Sequence, residues 1–471
     1  MIMRTYSNSV NGQSVETTGH QEIFNPATEE SIGLAPISTE SDVNFAVNAA
    51  HKAQLDWARV SDQQRRDTVA RVAKVLEDNS EYLAELITRE QGKPLSGPGS
   101  RFEMQACVGW TQVPASLELP PEVVYEDDER KDTLHRVPLG VVAAIAPWNW
   151  PLMIAIWQII PAIRMGNTVV LKPSEYTPIA TLEMVRLINE VLPPGVLNTV
   201  SGDGQIGAAL TSHPDIDKIM FTGSEATGRH IIEASTRNLA PITLELGGND
   251  AAIVLPGTDA SAIAEGLFWG AFLNMGQTCA CIKRLYVHDS DYEAVVDALS
   301  TLAGHMPIGD GMDENNLIGP LQNEMQYNKV KDLIADARAG GCDVMEFGNI
   351  PDKGYFLPIT LVGNIGDGRR LVDEEQFGPA LPIIRYRSLD EAVASANRLG
   401  AGLGASVWAN DSAQAEEVAM RLEAGTVWVN QHGPKQPKVP FGGNKDSGYG
   451  VEFGLEGLKA VTQPRVISIK K

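Results

Sequence analysis

Two cysteines lie one residue apart in the stretch NMGQTCACIKR, residues 274–284. A thiolate is both a strong nucleophile and a metal ligand, so Cys279 and Cys281 could do chemistry in several ways. A disulfide between them would be strained, because bridged Cα atoms need a specific separation and aim. The chain has 4 cysteines and no CxxC or Cys/His spacing, so neither a disulfide framework nor a metal site is indicated. Two interpretations stay open: a nucleophile beside a spare thiol, or two inert buried side chains.

Two glycine-rich turns follow strand-like runs and precede helix-like runs, the context in which a dinucleotide fold binds phosphate. Glycine lets a helix N-terminus approach a diphosphate closely, although a strand-to-helix turn also favours glycine for its backbone. The turns VSGDGQIGAAL and KIMFTGSEATGRHI contain Gly202, Gly204 and Gly207 and then Gly223, Ser224 and Gly228. Upstream, VVLKPSE places Lys172 and Glu175 at a strand end. That carboxylate could accept from ribose hydroxyls, or the two residues could form a surface ion pair.

The charge balance excludes some classes of partner. The chain has 38 basic and 60 acidic residues, and its formal charge of −22 repels nucleic-acid phosphates and anionic membrane surfaces. The longest apolar run, residues 141–163, is interrupted by Pro147, Pro151 and Pro161 and does not read as a membrane span. The N-terminal residues turn polar at once and lack the apolar core of a signal peptide. We expect a cytoplasmic protein with no nucleic-acid partner and no membrane segment.

The elements that must position these groups change in kind along the chain. A length of 471 residues predicts two or three domains. The first hundred residues repeat apolar positions at helical spacing, with Ser41 as a helix cap and Gly92 as a helix end. From about residue 139, apolar strands alternate with helices, which predicts a doubly wound α/β domain and a second α/β domain after Gly248. A segment near 117–136 and the C-terminal segment are strand-like, and we expect a small sheet at a subunit contact.

Seven motifs follow the order found in the NAD(P)-dependent aldehyde dehydrogenases: PWNWP, LKPSE, FTGS, LELGGND, GQTC, EEQFGP and PFGGNKDSG. The resemblance covers nearly the whole chain. It implies an aldehyde dehydrogenase-like α/β fold with a Rossmann-type cofactor domain, a second α/β catalytic domain and a small bridging β-sheet. It assigns 1–116 and 137–245 to the NAD-binding domain, 246–432 to the catalytic domain, and 117–136 and 450–471 to a bridging segment. It also implies a homodimer or homotetramer.

The resemblance implies a reaction in which an aldehyde is oxidised to a carboxylic acid with NAD. The family nucleophile corresponds to Cys279, which leaves Cys281 as the spare thiol. A thiolate adds to the aldehyde carbon to give a thiohemiacetal, whose hydride can leave because the oxyanion pushes it. Asn149 resembles the family's oxyanion donor, an interaction worth about 3 to 4 kcal/mol in the transition state. Glu245 resembles the general base that activates water against the thioester.

The resemblance also aligns a set of residues with cofactor contacts. Glu375 matches a ribose-binding carboxylate, and Phe377 matches the ring that packs on the nicotinamide end. Glu175 favours NAD, because a carboxylate near the ribose repels a 2′-phosphate, while Ser174 and Lys172 could still accept the phosphate of NADP. The full set is Pro147, Trp148, Lys172, Ser174, Glu175, Gly204, Phe221, Gly223, Ser224, Leu246, Glu375 and Phe377.

The same register predicts a mostly apolar, aromatic tunnel for the aldehyde. Its predicted lining is Trp150, Met153, Trp157, Leu273, Thr278, Ala280, His432 and Phe441. The loop NQHGPKQPKVPFGG departs from common relatives by placing His432, Lys435 and Lys438 near the tunnel mouth. These groups could attract a carboxylated aldehyde. The alternative, which we favour from the sequence, is solvated loop lysines beside a tunnel for an apolar aldehyde.

Two further expectations concern ionisable neighbours. Ionisation of the nucleophilic thiol must be favoured by a helix end or a base, and we expect Lys283 and Arg284 to be a solvated pair. Many relatives carry a lysine that joins a proton relay with a later glutamate, here Glu452. This chain has Gln158 at that position, and glutamine cannot carry a proton as an ionisable side chain does. A relay through this pair is therefore in doubt.

Two rival functions differ from hydrolytic aldehyde oxidation. The first is an acylating relative that passes the acyl group to coenzyme A, and Glu245 argues against it because that branch generally lacks the base. The second is a non-catalytic binding protein on the same fold. The presence of Cys279, Asn149 and Glu245 together with both ribose carboxylates argues against the second.

Overall fold

The computed structural model describes residues 4–471 of the chain. Its strands are β1 (Asn8–Val10), β2 (Gln13–Val15), β3 (Gly19–Phe24), β4 (Ser31–Ile37), β5 (Glu122–Glu126), β6 (Arg130–Pro138), β7 (Val141–Ile145), β8 (Thr168–Lys172), β9 (Leu197–Thr199), β10 (Lys218–Thr222), β11 (Ile242–Glu245), β12 (Asp250–Val254), β13 (Ile282–His288), β14 (Asp343–Phe347), β15 (Ile359–Gly363), β16 (Ala380–Tyr386), β17 (Ala401–Gly402), β18 (Gly404–Trp408), β19 (Thr426–Val429), β20 (Asn444–Lys445), β21 (Gly448–Tyr449) and β22 (Thr462–Lys470). Its helices are α1 (Glu40–Trp57), α2 (Asp62–Asp78), α3 (Ser80–Gln91), α4 (Ser100–Ser116), α5 (Pro151–Arg164), α6 (Pro178–Ile188), α7 (Gly204–Thr211), α8 (Glu225–Ser235), α9 (Ala260–Phe272), α10 (Tyr292–His305), α11 (Glu324–Ala339), α12 (Arg370–Asp373), α13 (Leu389–Asn397), α14 (Ser412–Ala419) and α15 (Gly454–Ala460). From β7 onward, strands and helices alternate as the sequence predicts.

The first large sheet has six strands in the order β21-β11-β10-β7-β8-β9, and all except β21 run parallel. Alternate residues of β7 enter two separate apolar cores: Val142 and Ala144 pack on one face, and Val141 and Ala143 pack on the other. The strand order reverses between β7 and β10. In a doubly wound sheet, ligands bind in the crevice at the carboxyl ends of the two strands that flank such a reversal.

The second large sheet has seven strands in the order β14-β15-β16-β13-β12-β18-β19, and only β14 is antiparallel. Glu245 is the last residue of β11 in the first sheet, and Asp250 is the first residue of β12 in the second. Asp250 pairs with Ile282, the first residue of β13. Because Cys279 immediately precedes β13 in the chain, this pairing brings the segment that carries Cys279 beside the link that follows Glu245.

The two leftover strand-like segments pair with each other. Strand β22 runs antiparallel to β6 from Thr462 opposite Pro138 to Lys470 opposite Arg130, and β5 adds to the other edge of β6. Strands β5 and β22 are exposed along nearly their whole length, including several apolar side chains. Exposed apolar strands of this kind are typical of a surface that another chain covers.

Local capping corrects one sequence expectation and confirms another. Helix α1 is capped by Thr39, not by Ser41, which lies inside the first turn. Thr39 accepts from the backbone of Asp42, and the Asp42 carboxylate accepts from the backbone of Thr39, a reciprocal pair that Ser41 cannot form. Gly92 ends α3 with a φ of 94°, as its position in the helical pattern predicts.

The apolar run 141–163 is divided between a strand and a helix. It forms β7 and most of α5, and every residue of α5 is buried. Within residues 4–471, no helix combines the length and apolarity that a bilayer crossing requires.

Candidate active site

A cavity of about 1120 Å³ opens at the carboxyl ends of β7 and β10, where the order of the first sheet reverses. It exceeds the range of about 300 to 1000 Å³ typical of small-molecule pockets, as a dinucleotide requires. The lining includes the entire set predicted to contact a cofactor: Pro147, Trp148, Lys172, Ser174, Glu175, Gly204, Phe221, Gly223, Ser224, Leu246, Glu375 and Phe377. Asn149 and Cys279 line the same cavity. The structure therefore brings two predicted catalytic residues to the predicted cofactor pocket.

The glycine-rich turns leave space at the two helix N-termini of this cavity. Gly204 begins α7, and no atom lies within 4 Å of the point where a Cβ would be built on it. A Cβ on Gly228 would lie 2.8 Å from the Leu246 side chain, so glycine here lets α8 approach β11. Ser224 caps α8 by accepting from the backbone of Thr227. Asp203 caps α7 by accepting from the backbone of Gln205, and the space left beside Gly204 suits a phosphate group.

Charged groups in the cavity lining also fit a nucleotide. The Lys172 ammonium lies 3.6 Å from the Glu175 carboxylate, and Lys172 is buried whereas Glu175 is partly exposed. Burial lowers the pKa of Lys172, which the charge of Glu175 partly offsets. Glu375 accepts from the backbone N–H of Gly248 at 3.2 Å, and burial raises the pKa of its carboxyl. Both carboxylates retain oxygen lone pairs that ribose hydroxyls could use.

The loop that precedes Cys279 has an unusual backbone. Asn274 and Met275 have φ values of 51° and 58°, and Gly276 has a φ of 72°. Left-handed backbone at two consecutive non-glycine residues is strained, and such strain persists where the surroundings hold it in place. Lys283 holds this loop by donating to the carbonyl oxygens of Gly276 at 3.1 Å and Thr278 at 2.6 Å.

The expectation that Lys283 and Arg284 are solvated is therefore wrong. Both are buried. Arg284 donates to the backbone oxygen of Asn249 through two nitrogens and to the oxygens of Ser395 and Ala396. Strand β13 lies inside the second sheet, so its alternate residues have no solvent to face, and their charges are satisfied by backbone carbonyls.

Hydrogen bonds hold both the side-chain amide and the backbone carbonyl of Asn149. Its side-chain amide donates to the carbonyl of Gln277 at 2.8 Å, which ties it to the loop before Cys279. Its own carbonyl accepts from Lys93 Nζ at 2.7 Å and from Asn274 Nδ2 at 2.9 Å. An amide nitrogen has two N–H groups, so a second donor is left for a reacting oxygen.

Lys93 and Glu103 support Asn149, and the sequence analysis did not identify either. Their side chains form a fully buried ion pair at 2.6 Å. The Lys93 ammonium lies 3.5 Å from the centre of the Trp150 ring, and Glu103 accepts from the backbone N–H groups of Leu152 and Met153 at the start of α5. A lysine in a helical region of mixed charge carries no sequence signal for such a role.

Burial strongly affects the protonation of Cys279. It raises the pKa of the thiol to about 11, while the positive charge of Lys435 acts in the opposite direction and the charge of Glu245 adds to the rise. In the absence of substrate and cofactor, Cys279 is therefore mainly a neutral thiol at neutral pH. A base must take the proton as the sulfur adds to a carbonyl.

Glu245 belongs to a buried group of ionisable side chains. Burial raises its pKa well above the ordinary range, the negative charge of Glu452 raises it further, and Lys435 opposes both. Burial raises the pKa of Glu452 to about 7, against the positive charge of Lys218. Lys218 donates to Thr243 Oγ1 at 2.6 Å. The cation that faces Glu452 is therefore Lys218, which the sequence analysis missed.

Gln158 is committed to structural hydrogen bonds. Its side-chain nitrogen donates to the carbonyl of Ile145 at 3.1 Å and to Thr222 Oγ1 at 3.2 Å, so it joins the ends of β7 and β10. These bonds connect Gln158 to two strands of the first sheet. Its amide has no ionisable group that could take part in a proton relay.

The predicted aldehyde residues lie on the other side of Cys279 from the cofactor cavity. Trp150, Met153, Trp157, Ala280 and Phe441 are buried in one apolar cluster, against which Leu273 and Cys279 pack. Trp150 donates from its indole to Thr278 Oγ1 at 2.9 Å. The predicted aldehyde residues other than His432 therefore form one contiguous group.

His432 does not lie at a solvent-facing mouth. Its side chain is fully buried, with Nε2 at 3.4 Å from the Asp250 carboxylate and Nδ1 at 3.0 Å from Ser406 Oγ. Burial lowers its pKa, so the ring contributes no positive charge at neutral pH. Lys438 is exposed, whereas Lys435 is half-buried. The three basic residues of this loop thus occupy three different environments.

Comparisons with known proteins agree with this geometry. Residues 13–467 match the model of the aldehyde dehydrogenase family. The chain is 39% identical to the phenylacetaldehyde dehydrogenase of Pseudomonas fluorescens, over 98% of this chain and 94% of that protein. It is 36% identical to the peroxisomal aminoaldehyde dehydrogenase 1 of Pisum sativum, over 93% and 90%. It superposes on the NAD⁺ complex of the Bacillus cereus aldehyde dehydrogenase with a TM-score of 0.96, at 33% identity over 99% of this chain and 97% of that one.

A cysteine lines a dinucleotide-sized cavity at the edge of a doubly wound sheet. This combination is typical of oxidoreductases of the α/β class. The chain belongs to the aldehyde dehydrogenase family, and it is an enzyme of the type that oxidises aldehydes. The predicted fold, α/β and aldehyde dehydrogenase-like, is confirmed.

Proposed function

We propose that this protein oxidises an aldehyde to a carboxylic acid, with NAD as hydride acceptor and water as the final nucleophile. The observation that carries the proposal is that Cys279 and Asn149 line the cavity whose walls carry the predicted dinucleotide contacts. The balanced reaction converts an aldehyde, NAD⁺ and water into a carboxylate, NADH and protons. The family's solved NAD⁺ complex supports NAD as the cofactor.

In the first half-reaction, Cys279 loses its proton and its sulfur adds to the aldehyde carbon. Because burial disfavours the free thiolate, proton removal accompanies addition, and Glu245 is the buried carboxylate whose charge reaches the thiol. The negative oxygen that develops receives hydrogen bonds from Asn149 Nδ2 and from the backbone N–H of Cys279. When bound, NAD accepts the hydride of the resulting thiohemiacetal, which leaves an acyl thioester on Cys279.

Before the second half-reaction, Glu245 releases the thiol proton to solvent and is ionised again. It then takes a proton from water, whose oxygen attacks the thioester carbon. The carbon–sulfur bond breaks, the thiolate takes the proton from Glu245, and the site returns to its starting state. Coenzyme A transfer is the rival fate of the thioester, and the buried carboxylate of Glu245 favours water instead.

The remaining assignments are proposals of the same kind. Glu175 in the cavity wall supports NAD over NADP, since its charge would repel a 2′-phosphate. We assign 1–116 and 137–245 to cofactor binding, 246–432 to catalysis, and 117–136 with 450–471 to a homodimer or homotetramer contact. The two large sheets and the three-stranded sheet support this division.

A steady-state assay tests the proposed function. Aliphatic, aromatic and carboxylated aldehydes are supplied with NAD or NADP, with and without coenzyme A, while NADH and the acid product are quantified. We expect equal amounts of NADH and carboxylic acid without coenzyme A, and a lower kcat/KM with NADP. Turnover that requires coenzyme A would assign the acylating reaction, and NAD binding without turnover of any aldehyde would support the binding protein.

Replacement of Glu452 by glutamine is expected to shift the pH dependence of thioester hydrolysis. Only ionised Glu245 can accept a proton from water, so hydrolysis accelerates as the pH rises through the pKa of Glu245. The charge of Glu452 raises that pKa, and its removal should move the rising limb toward acid. Decay of the acyl enzyme, followed by quenched-flow mass spectrometry across pH, measures the shift. Glu456→Gln, an exposed carboxylate of α15, is the control, and a shift toward alkali would contradict the coupling.

A further inference from the structure

We propose that Lys435 makes the aldehyde site selective for aldehydes that carry a carboxylate at the end remote from the carbonyl. The inference rests on the proposed function and names its substrate class. It reverses our sequence expectation, which treated Lys435 as a solvated loop residue. The positions of the loop, the partners of the ammonium and the polarity of the adjacent wall support it.

The loop that carries Lys435 is anchored against the reactive residues. A Cβ on Gly433 would lie 3.4 Å from the carbonyl of Ala280, so this part of the loop abuts the residue after Cys279. Farther along the loop, a Cβ on Gly442 would lie 3.5 Å from Glu245 Oε1. The segment between these contacts, which includes Lys435, therefore spans the region between the nucleophile and the base.

Two hydrogen bonds hold this segment in place. The indole of Trp428 donates to the carbonyl of Pro434 at 2.9 Å, directly before Lys435. The backbone N–H of Gly454 donates to the carbonyl of Pro437 at 3.0 Å. Lys435 is consequently on a fixed stretch of backbone, in contrast to a lysine on a free loop tip.

The ammonium of Lys435 lies inside the site and has spare donors. It sits 4.9 Å from the centre of the Phe441 ring and donates to the carbonyl of Gly433 at 3.3 Å. Among residues 4–471, it forms no ion pair within 4.0 Å. An ammonium has three N–H donors, so most of its capacity is available to a ligand anion. Its positive charge also opposes the rise in the pKa of Cys279, in agreement with the contact of the loop at Ala280, the residue after Cys279.

The aromatic wall beside Lys435 also carries unmet donors. Phe441 stacks on Phe453 with ring centres 5.8 Å apart, and Phe453 contacts Trp157 at 4.8 Å and Trp110 at 5.6 Å. The indole N–H groups of Trp157 and Trp110 are buried and have no acceptor within the part of the chain that the structure describes. A purely alkyl substrate would leave these donors unpaired, whereas a substrate with carboxylate oxygens could accept from them.

A carboxylate is therefore the ligand group that this wall matches. Its charge complements the half-buried ammonium of Lys435, and its oxygens complement the buried N–H donors. The chain carries a formal charge of −22, which repels an anionic substrate. Such a substrate therefore depends on a local cation for binding. The exposed Lys438 lies in the same loop but lacks these contacts, which makes it a matched control.

Paired substrates test the inference. We expect the wild-type enzyme to prefer 4-carboxybenzaldehyde over methyl 4-formylbenzoate, and 5-oxopentanoate over its methyl ester, in kcat/KM. Lys435→Met should lower each preference about ten- to hundredfold, mainly through KM for the anionic member, because a charge-assisted bond is lost. Lys435→Arg should keep most of the preference, and Lys438→Met should keep all of it. An equal loss for both members of a pair would overturn the inference and assign Lys435 to thiol ionisation.

Alkylation of Cys279 provides a readout that needs neither cofactor nor turnover. The rate of inactivation by iodoacetate is divided by the rate with iodoacetamide, so that a change in thiolate fraction cancels and only selection of the anion remains. We expect Lys435→Met to lower this ratio about five- to tenfold and Lys438→Met to leave it unchanged. An unchanged ratio in Lys435→Met, in protein with wild-type thermal stability, would overturn the inference. A lowered ratio without oxidation of any aldehyde would preserve the anion site and contradict the proposed function.

Discussion

Replacement of Cys279 by alanine is expected to abolish NADH formation while NAD still binds. The reaction needs a covalent adduct between this sulfur and the aldehyde carbon, and no other group in the cavity wall can supply an equivalent nucleophile. The loss of a nucleophile that acts with a base typically costs about 10⁴-fold or more in kcat. NAD binding should persist, because the predicted cofactor contacts are made by other residues of the cavity lining and do not include the Cys279 thiol. NADH formation and equilibrium binding of NAD are measured on the same preparation.

Cys281→Ala is the matched control for this prediction. Cys281 lies two residues farther along the chain, is buried, and has its sulfur 3.9 Å from the carbonyl of Leu273. Burial raises the pKa of both thiols, but Cys279 is partly exposed and lines the cavity, whereas Cys281 does not line it, so access to a substrate distinguishes the two. We expect Cys281→Ala to retain most of its turnover. An active Cys279→Ala enzyme and an inactive Cys281→Ala enzyme would show that the two roles are exchanged.

Glu245→Gln should separate the two half-reactions. Acylation of Cys279 should still give up to one NADH per active site. The rate of this first NADH formation should fall if Glu245 also removes the thiol proton. Thioester hydrolysis should then fall about 10²- to 10⁴-fold, the usual contribution of a general base. The acyl enzyme should accumulate, and intact-protein mass spectrometry should show the adduct on Cys279. The stopped-flow trace should therefore show a burst followed by a nearly flat phase.

Two outcomes would contradict this role for Glu245. Normal steady-state turnover without a burst would mean that another group activates water. In Glu245→Gln, adduct formation and thioester hydrolysis at wild-type rates would likewise mean that another group activates water. Glu417→Gln, an exposed carboxylate on α14, is a suitable control because this residue lies outside the cavity lining and outside the buried group around Glu245.

Features that depend on a few adjacent residues were predictable. Gly92 ends α3 because an L-residue with a side chain would be strained at its φ of 94°. The reversal of the first sheet and the two glycine turns follow from strands that alternate with helices. The cap of α1 was misassigned by two residues, because Thr39 and Ser41 both suit a cap and only the reciprocal bond with Asp42 distinguishes them.

Features that depend on distant residues were not predictable. Lys283 and Arg284 carry the same charges whether solvated or buried, and only the packing of β13 inside the second sheet shows that backbone carbonyls surround them. Lys93 supports Asn149 across 56 positions in the chain, so no local pattern connects them. Lys218 faces Glu452 for the same reason.

The sequence by itself determined the class of this protein, because the motifs carry reactive groups whose chemistry depends on residue type and short spacing. It determined that a thiol follows a Gly-Gln-Thr turn at Cys279 and that a carboxylate precedes a double glycine at Glu245. Only the tertiary structure decided the protonation of these groups and the surroundings of Lys435. Desolvation and Coulomb interactions act through space, so they are set by how Glu452, Lys218 and the loop around Lys435 pack together, and the order of residues along the chain does not contain that information.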